Sequence, residues 1–144
     1  MQRFIANARA INQVKSMSML PFRMSMARAF ATKNFVEMSK PEEWDQFIES
    51  SEPIVLQAGA TWCGPCNFLK PRMLSVGEEF EDSVKFVFMD IDKFPEIAEM
   101  LEIQHIPKTF MIYKGEIVDQ FGGVPSEDEK IRQFYLRASN KPNE

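Results

Sequence analysis

The only two cysteines of this 144-residue chain, Cys63 and Cys66, stand three residues apart in Trp62-Cys63-Gly64-Pro65-Cys66. They follow, after four intervening residues, the apolar run Pro53-Ile54-Val55-Leu56-Gln57-Ala58. That juxtaposition limits the possible folds more than any other feature. The run has the length and composition of a buried strand. Pro65 fixes φ where a helix would make its first turn, and its missing N–H costs nothing there. A strand that feeds straight into such a helix puts Cys63 at the helix start, where unpaired N–H groups and the positive dipole end stabilise a thiolate. Cys66 lies one turn along and is less exposed. Disulfide exchange needs a thiolate to attack, an accessible sulfur and a second thiol to release the mixed disulfide. The spacing provides an attacker and a resolver of unequal acidity. Gly64 lets a partner chain approach, and Trp62 offers an apolar wall beside the attacking sulfur. Zinc needs four ligands, and two Cys with the single His105 leave only an intermolecular site.

The rest of the chain alternates strand and helix patterns. Residues 34–38 read as a short strand. Ser39, Pro41 and Glu42 then form a capping box before a helix with Trp44, Phe47 and Ile48 on its apolar face. The cysteine helix runs to about Phe80, with Pro71 inside it as a kink. Residues 84–90 form an apolar central strand, and Pro95 to Leu101 a short helix. Residues 109–113 and 116–121 flank Lys114-Gly115 as a β-hairpin. Ser126 with Glu129 makes a second capping box before a final helix near 127–138. The order βαβαβα then ββα predicts one mixed sheet with helices on both faces.

Charge is distributed unevenly. Residues 1–36 contain no Asp or Glu but carry Arg3, Arg9, Lys15, Arg23, Arg28 and Lys33. Of 17 basic residues six lie here, so residues 37–144 hold 11 against 21 acidic ones. An acidic body argues against nucleic acid, whose phosphates need a basic surface. The Arg-bearing, acid-free leader, rich in Ala, Met and Ser, has the composition of a mitochondrial transit peptide, and a cut after Phe30 leaves a domain of residues 31–144. No stretch approaches the ~20 apolar residues of a membrane helix.

Trp62-Cys63-Gly64-Pro65-Cys66, the later Ile106-Pro107, Tyr113-Lys114-Gly115-Glu116 and Phe121-Gly122-Gly123 together resemble the thioredoxin family over roughly residues 34–138. The intervals from the cysteines to Pro107, to the hairpin glycine and to Gly123 fit that family without gaps. The resemblance implies a thioredoxin fold, three layers α/β/α with a mixed five-stranded sheet flanked by four helices. It implies Cys63 as nucleophile and Cys66 as resolving thiol. Trp62, Gly64, Pro65, Ile106, Pro107 and Gly123 would form the docking surface, with Pro107 commonly cis in this family. Such a protein reduces disulfides in client proteins, needs no cofactor beyond its own Cys63–Cys66 disulfide, and is re-reduced by a flavin-containing thioredoxin reductase. Mitochondrial matrix is the location expected of a chain with this leader.

The departures from the family pattern are specific. Gln57 stands where thioredoxins usually bury an Asp, and Phe88 where they often bury a Lys, so a charge pair is gone together. An amide beside an aromatic avoids a lone buried charge, but it cannot exchange a proton with Cys66, which predicts slower resolution. Gly59 replaces a Trp and predicts a looser pocket. Lys108 replaces a Thr after the Pro and would lower the Cys63 pKa if its ammonium reaches the thiolate. His105 reads as a solvent-facing loop residue. The intact motif favours a working mitochondrial reductase. The altered Gln57, Gly59 and Lys108 favour the alternative, an accessory subunit of a larger mitochondrial complex, for example respiratory-chain, with little redox turnover.

Overall fold

The computed structural model describes residues 34–142; the predicted leader and its cleavage point lie outside them. Strand β1 (Phe35–Glu37) and helix α1 (Glu42–Ile48) are followed by β2 (Ile54–Gly59) and α2 (Gly64–Gly77), which passes into a 3-10 turn at Glu78–Phe80. Then come β3 (Lys85–Asp90), α3 (Pro95–Met100), β4 (Lys108–Tyr113), β5 (Glu116–Gly122) and α4 (Asp128–Ser139). The five strands form one sheet in the order β1-β3-β2-β4-β5. β1, β3 and β2 are parallel, whereas β4 is antiparallel to β2 and β5 antiparallel to β4. This is the three-layer thioredoxin architecture expected.

Every residue of β2 is buried, because helices cover both faces of the sheet and strands flank both edges of β2. Alternation along the strands separates two cores. Ile54, Leu56, Val87, Phe110 and Ile112 face α1 and α3, packing with Phe47 and Ile97. Val55, Phe86 and Met111 face α2 and α4, packing with Leu69, Met73, Ile131 and Phe134. Gln57, Gly59, Phe88 and Thr109 continue the second face by the same alternation. The site is thus built at one end of the α2 side of the sheet.

Two caps differ from expectation. The first box closes on Glu43, not Glu42. The Ser39 and Lys40 amides donate to Glu43 Oε2 at 2.7 and 3.1 Å, and Ser39 Oγ to Oε1 at 3.1 Å. Pro41 occupies the helix entry, so the first residue able to reach back comes one position later. These amide bonds hold the Glu43 carboxyl below its usual range. At α4, the extended Glu127 precedes the helix and no side chain caps it. Ser126 Oγ instead accepts from Lys130 Nζ at 3.0 Å, and Glu129 accepts from Arg132 and Gln133, each at 2.7 Å. Neighbouring side chains on α4, not the backbone, are the partners of both. The helix continues through Pro71 to Gly77. Tyr135 packs closely on its last residue: a Cβ on Gly77 would stand 2.8 Å from the Tyr135 hydroxyl, which donates to Met73 O at 3.0 Å. The hairpin turn has positive φ at both Lys114 (53°) and Gly115 (77°), the two-residue type I′ geometry that matches strand twist. A register shift at Met111/Ile112 leaves Val118 as a bulge in β5.

Candidate functional site

β2 ends at Gly59, and a tight turn, closed by Cys63 N–H donating to Ala60 O at 3.2 Å, delivers Cys63 as the N-cap of α2. Its backbone is extended (φ −84°, ψ 107°) while its Sγ accepts the Cys66 N–H at 3.2 Å. A sulfur therefore takes the role that a Ser or Asp oxygen plays at ordinary helix starts. The two cysteines form a disulfide, with Cα atoms 5.3 Å apart. Cys63 is 5% exposed and Cys66 fully buried, so the first sulfur is the one a partner can reach.

Around Cys63 the chain brings together most of the expected docking residues. Ile106 packs on the Ala60, Cys63 and Cys66 cluster. The Ile106–Pro107 bond is cis, and Gly123 N–H donates to Pro107 O at 2.9 Å. Gly123 has φ +75°, a conformation that glycine adopts without steric cost. Gly64 meets nothing within 4 Å of an added Cβ, which leaves that side open. Trp62 is 69% exposed, and its indole N–H donates to Asp92 Oδ2 at 2.7 Å. Asp92 escaped the sequence reading; the signal available was its place just past an apolar strand, in Asp90-Ile91-Asp92. Its own amide donates to Asp90 Oδ1 at 2.9 Å, which fixes the turn. His105 is exposed beside the cis bond.

Beneath the sulfurs, three expectations change. Gln57 is fully buried and its Nε2 donates to Cys66 O at 3.2 Å. Its Oε1 has no partner among the described residues, nor has Thr109 Oγ1 on the facing residue of β4. The amide is therefore only half satisfied, and removing the buried charge left a polar cost behind. Gly59 does not loosen the pocket. An added Cβ would stand 3.1 Å from each of Cys66 Cβ, Cys66 Sγ and Phe88 Cε2. The Phe88 ring occupies the space beside Gly59, so the floor under Cys66 is tightly packed. Outside that ring, Lys70 Nζ stands 4.2 Å from the Phe88 centroid and pairs with Glu37 Oε2 at 3.1 Å. Lys108, finally, alternates onto the α1/α3 face with its stem along Gly122. The α2 face holds the cysteines, and no described contact joins Lys108 to either sulfur.

A thiolate at Cys63 would gain from the Cys66 amide and the start of α2, whereas Cys66 is shut away beside an amide that holds no exchangeable carboxyl proton. Among the described residues no group of three or more His, Cys, Asp or Glu is placed to hold a metal ion. No described helix is long and apolar enough to cross a membrane.

The fold and the disulfide at the start of α2 are those of a thioredoxin-fold domain carrying a Cys-x-x-Cys pair. The chain belongs to the thioredoxin family, whose model matches residues 35–137. It is 33% identical over 109 residues to a chloroplastic thioredoxin Y1 of Arabidopsis thaliana, covering 72% of this chain and 63% of that protein. It is 32% identical over 113 residues to a thioredoxin-like protein of Synechocystis, covering 78% and 98%. With the mitochondrial thioredoxin of Rattus norvegicus it shares 32% over 110 residues, 73% of this chain and 66% of the rat protein. The match thus spans a little under two thirds of the plant and rat relatives. The crystal structure of thioredoxin from Trypanosoma brucei brucei superposes with a TM-score of 0.64 over 75% of this chain and 92% of that one, at 24% identity. Thioredoxin family members are thiol–disulfide oxidoreductases.

Proposed function

We propose that this chain is a protein-disulfide reductase that cycles Cys63 and Cys66 between dithiol and disulfide. The observation that carries it is Cys63 at the N-cap of α2, its sulfur accepting an N–H and its side chain packed in one cluster with Ile106, the residue before the cis proline. In the dithiol form the Cys63 thiolate attacks one sulfur of a client disulfide. A Cys63–client bond forms, and the client's other sulfur leaves as a thiolate. Cys66 then loses its proton and attacks the Cys63 sulfur. The Cys63–Cys66 disulfide forms, the second client sulfur departs, and two electrons have passed to the client. A thioredoxin reductase would return the chain to the dithiol. Trp62, Gly64, Pro65, Ile106, Pro107 and Gly123 hold the client's extended segment, while Gln57 limits the resolving step because no carboxylate takes the Cys66 proton. The chain should turn over insulin disulfides with dithiothreitol as reductant, and Cys63→Ser should abolish turnover. No turnover in the unmutated chain would sink the proposal.

Residues 1–30 act in this reading as a mitochondrial transit peptide and residues 31–144 as the functional domain, placing it in the matrix. The leader's composition and the mitochondrial relatives support this. Import into isolated mitochondria should shorten the chain at about Phe30; an unshortened, protease-accessible chain contradicts it. The half-satisfied Gln57 favours the second reading, a subunit of a mitochondrial complex with little turnover. Native gels separate the two: a chain found only at low mass removes the subunit reading.

A further inference from the structure

The outer face of α2 carries an aromatic that the exchange chemistry does not use. Phe68 is 61% exposed. Gly64, Phe68 and Arg72 recur every four residues and so share one face of the helix. Arg72 leaves that face for the segment between β5 and α4. Its Nη1 donates to Pro125 O at 2.9 Å and its Nε pairs with Asp128 Oδ1 at 2.7 Å. Its guanidinium carbon lies 5.5 Å from the Phe68 ring centroid. The ring is therefore backed by a cation that is itself tied at two points to another element. An aromatic with few rotamers, braced from behind, meets a partner at low ordering cost.

The same segment connects this ring to the surface at Cys63. Pro125 stands two residues from Gly123, whose N–H is bonded to Pro107 O. Arg72 thus ties the face of α2 that carries Gly64 and Phe68 to the segment that follows Gly123. We propose that Phe68, positioned by Arg72, is a specificity-determining contact for the client, taking an apolar or aromatic side chain about two residues from the attacked cysteine. One helical turn from Gly64 to Phe68 covers ~5.4 Å, and an extended client advances ~3.3 Å per residue. The occupant is the client's extended segment, because the ring is continuous with the docking surface. This rests on the reading of Cys63 as the attacking sulfur.

The test is steady-state reduction by the full chain of three substrates. They are a disulfide-linked peptide with Phe two residues from the cysteine, the same peptide with Gly there, and the small disulfide 5,5′-dithiobis(2-nitrobenzoate). Phe68→Ala should raise KM for the Phe peptide roughly tenfold. Its kcat, and the rates with the other two substrates, should stay as they are. Phe68→Leu should restore part of the loss, and Arg72→Gln should produce a smaller rise in KM. Should Phe68→Ala not fold, as judged by thermal melting, Phe68→Leu and Arg72→Gln carry the comparison. A chain that reduces all three substrates with the same Phe-to-Gly preference in Phe68→Ala overturns this proposal alone. A chain that reduces none overturns the redox reading and this proposal with it. A dimer at assay concentration that Phe68→Ala dissociates assigns the ring to a second copy, and also overturns it.

Discussion

Gln57 and Thr109 face each other across β2 and β4 with one buried oxygen each unpartnered among the described residues. Two substitutions separate the energetic role of this pair from its chemical one. Thr109→Val replaces the orphan hydroxyl by a methyl of similar size. It should leave stability unchanged or raise it by up to about 1 kcal/mol, as read by urea denaturation. Gln57→Asp should do the opposite to stability, because Phe88 offers the new carboxylate no cation. Yet it should speed the resolving step, since general-base help is worth roughly 10²-fold or more. A stopped-flow comparison of mixed-disulfide decay reads that change. Gly59→Ala tests the packing correction: with three atoms 3.1 Å from the new methyl, it should cost about 1–3 kcal/mol. A neutral result in the same denaturation series would mean that the Phe88 ring yields easily.

At the scale of elements, α2 does most to place the site, and its two ends meet different residues. Cys63 begins it, and Tyr135 packs against its last residue, Gly77. Gly77→Ala forces the Tyr135 hydroxyl away from Met73 O and should destabilise by about 1–3 kcal/mol in chemical denaturation; an unchanged midpoint would show that Tyr135 gives way freely. The helix itself was legible in the sequence, because a strand run and a first-turn proline belong to one stretch of chain. So was the hairpin, whose Lys114-Gly115 needs positive φ. The caps were not. Ser39-Pro41-Glu42 and Ser126-Glu129 satisfy a local pattern, but the partner that wins depends on the helix entry at Pro41 in one case and on Arg132, Gln133 and Lys130 in the other. The tight floor under Cys66 was hidden for the same reason. Gly59 suggests space, and only the β2–β3 register, which seats Phe88 beside Gln57, shows what fills it.

For the whole molecule, the sheet order brings Cys63, Pro107 and Gly123 together from three separate stretches of chain, and that convergence was readable only through the family resemblance. The acidic surface adds a pH dependence. Glu43 is held below its usual 4.5 by the Ser39 and Lys40 amides, Glu79 by Arg132, and Glu129 by Gln133 and then Arg132. Depressed folded-state values mean stability that is present above about 4.5 and is lost as pH falls through them. The melting temperature should therefore hold steady from pH 7 to about 5 and decline below 4.5, with a shallower decline in Glu43→Gln. These carboxylates are exposed, so added salt should also reduce the decline.

The central claim is an intact attacking thiol paired with a resolving step that lacks acid–base help. Rapid quenching of the reduced chain with insulin, followed by counting the chain trapped in mixed disulfide, tests it most directly. The mixed disulfide should accumulate in the unmutated chain, fall sharply in Gln57→Asp, and be absent in Cys63→Ser. Fast turnover with no trapped intermediate, unaltered by Gln57→Asp, would contradict the account.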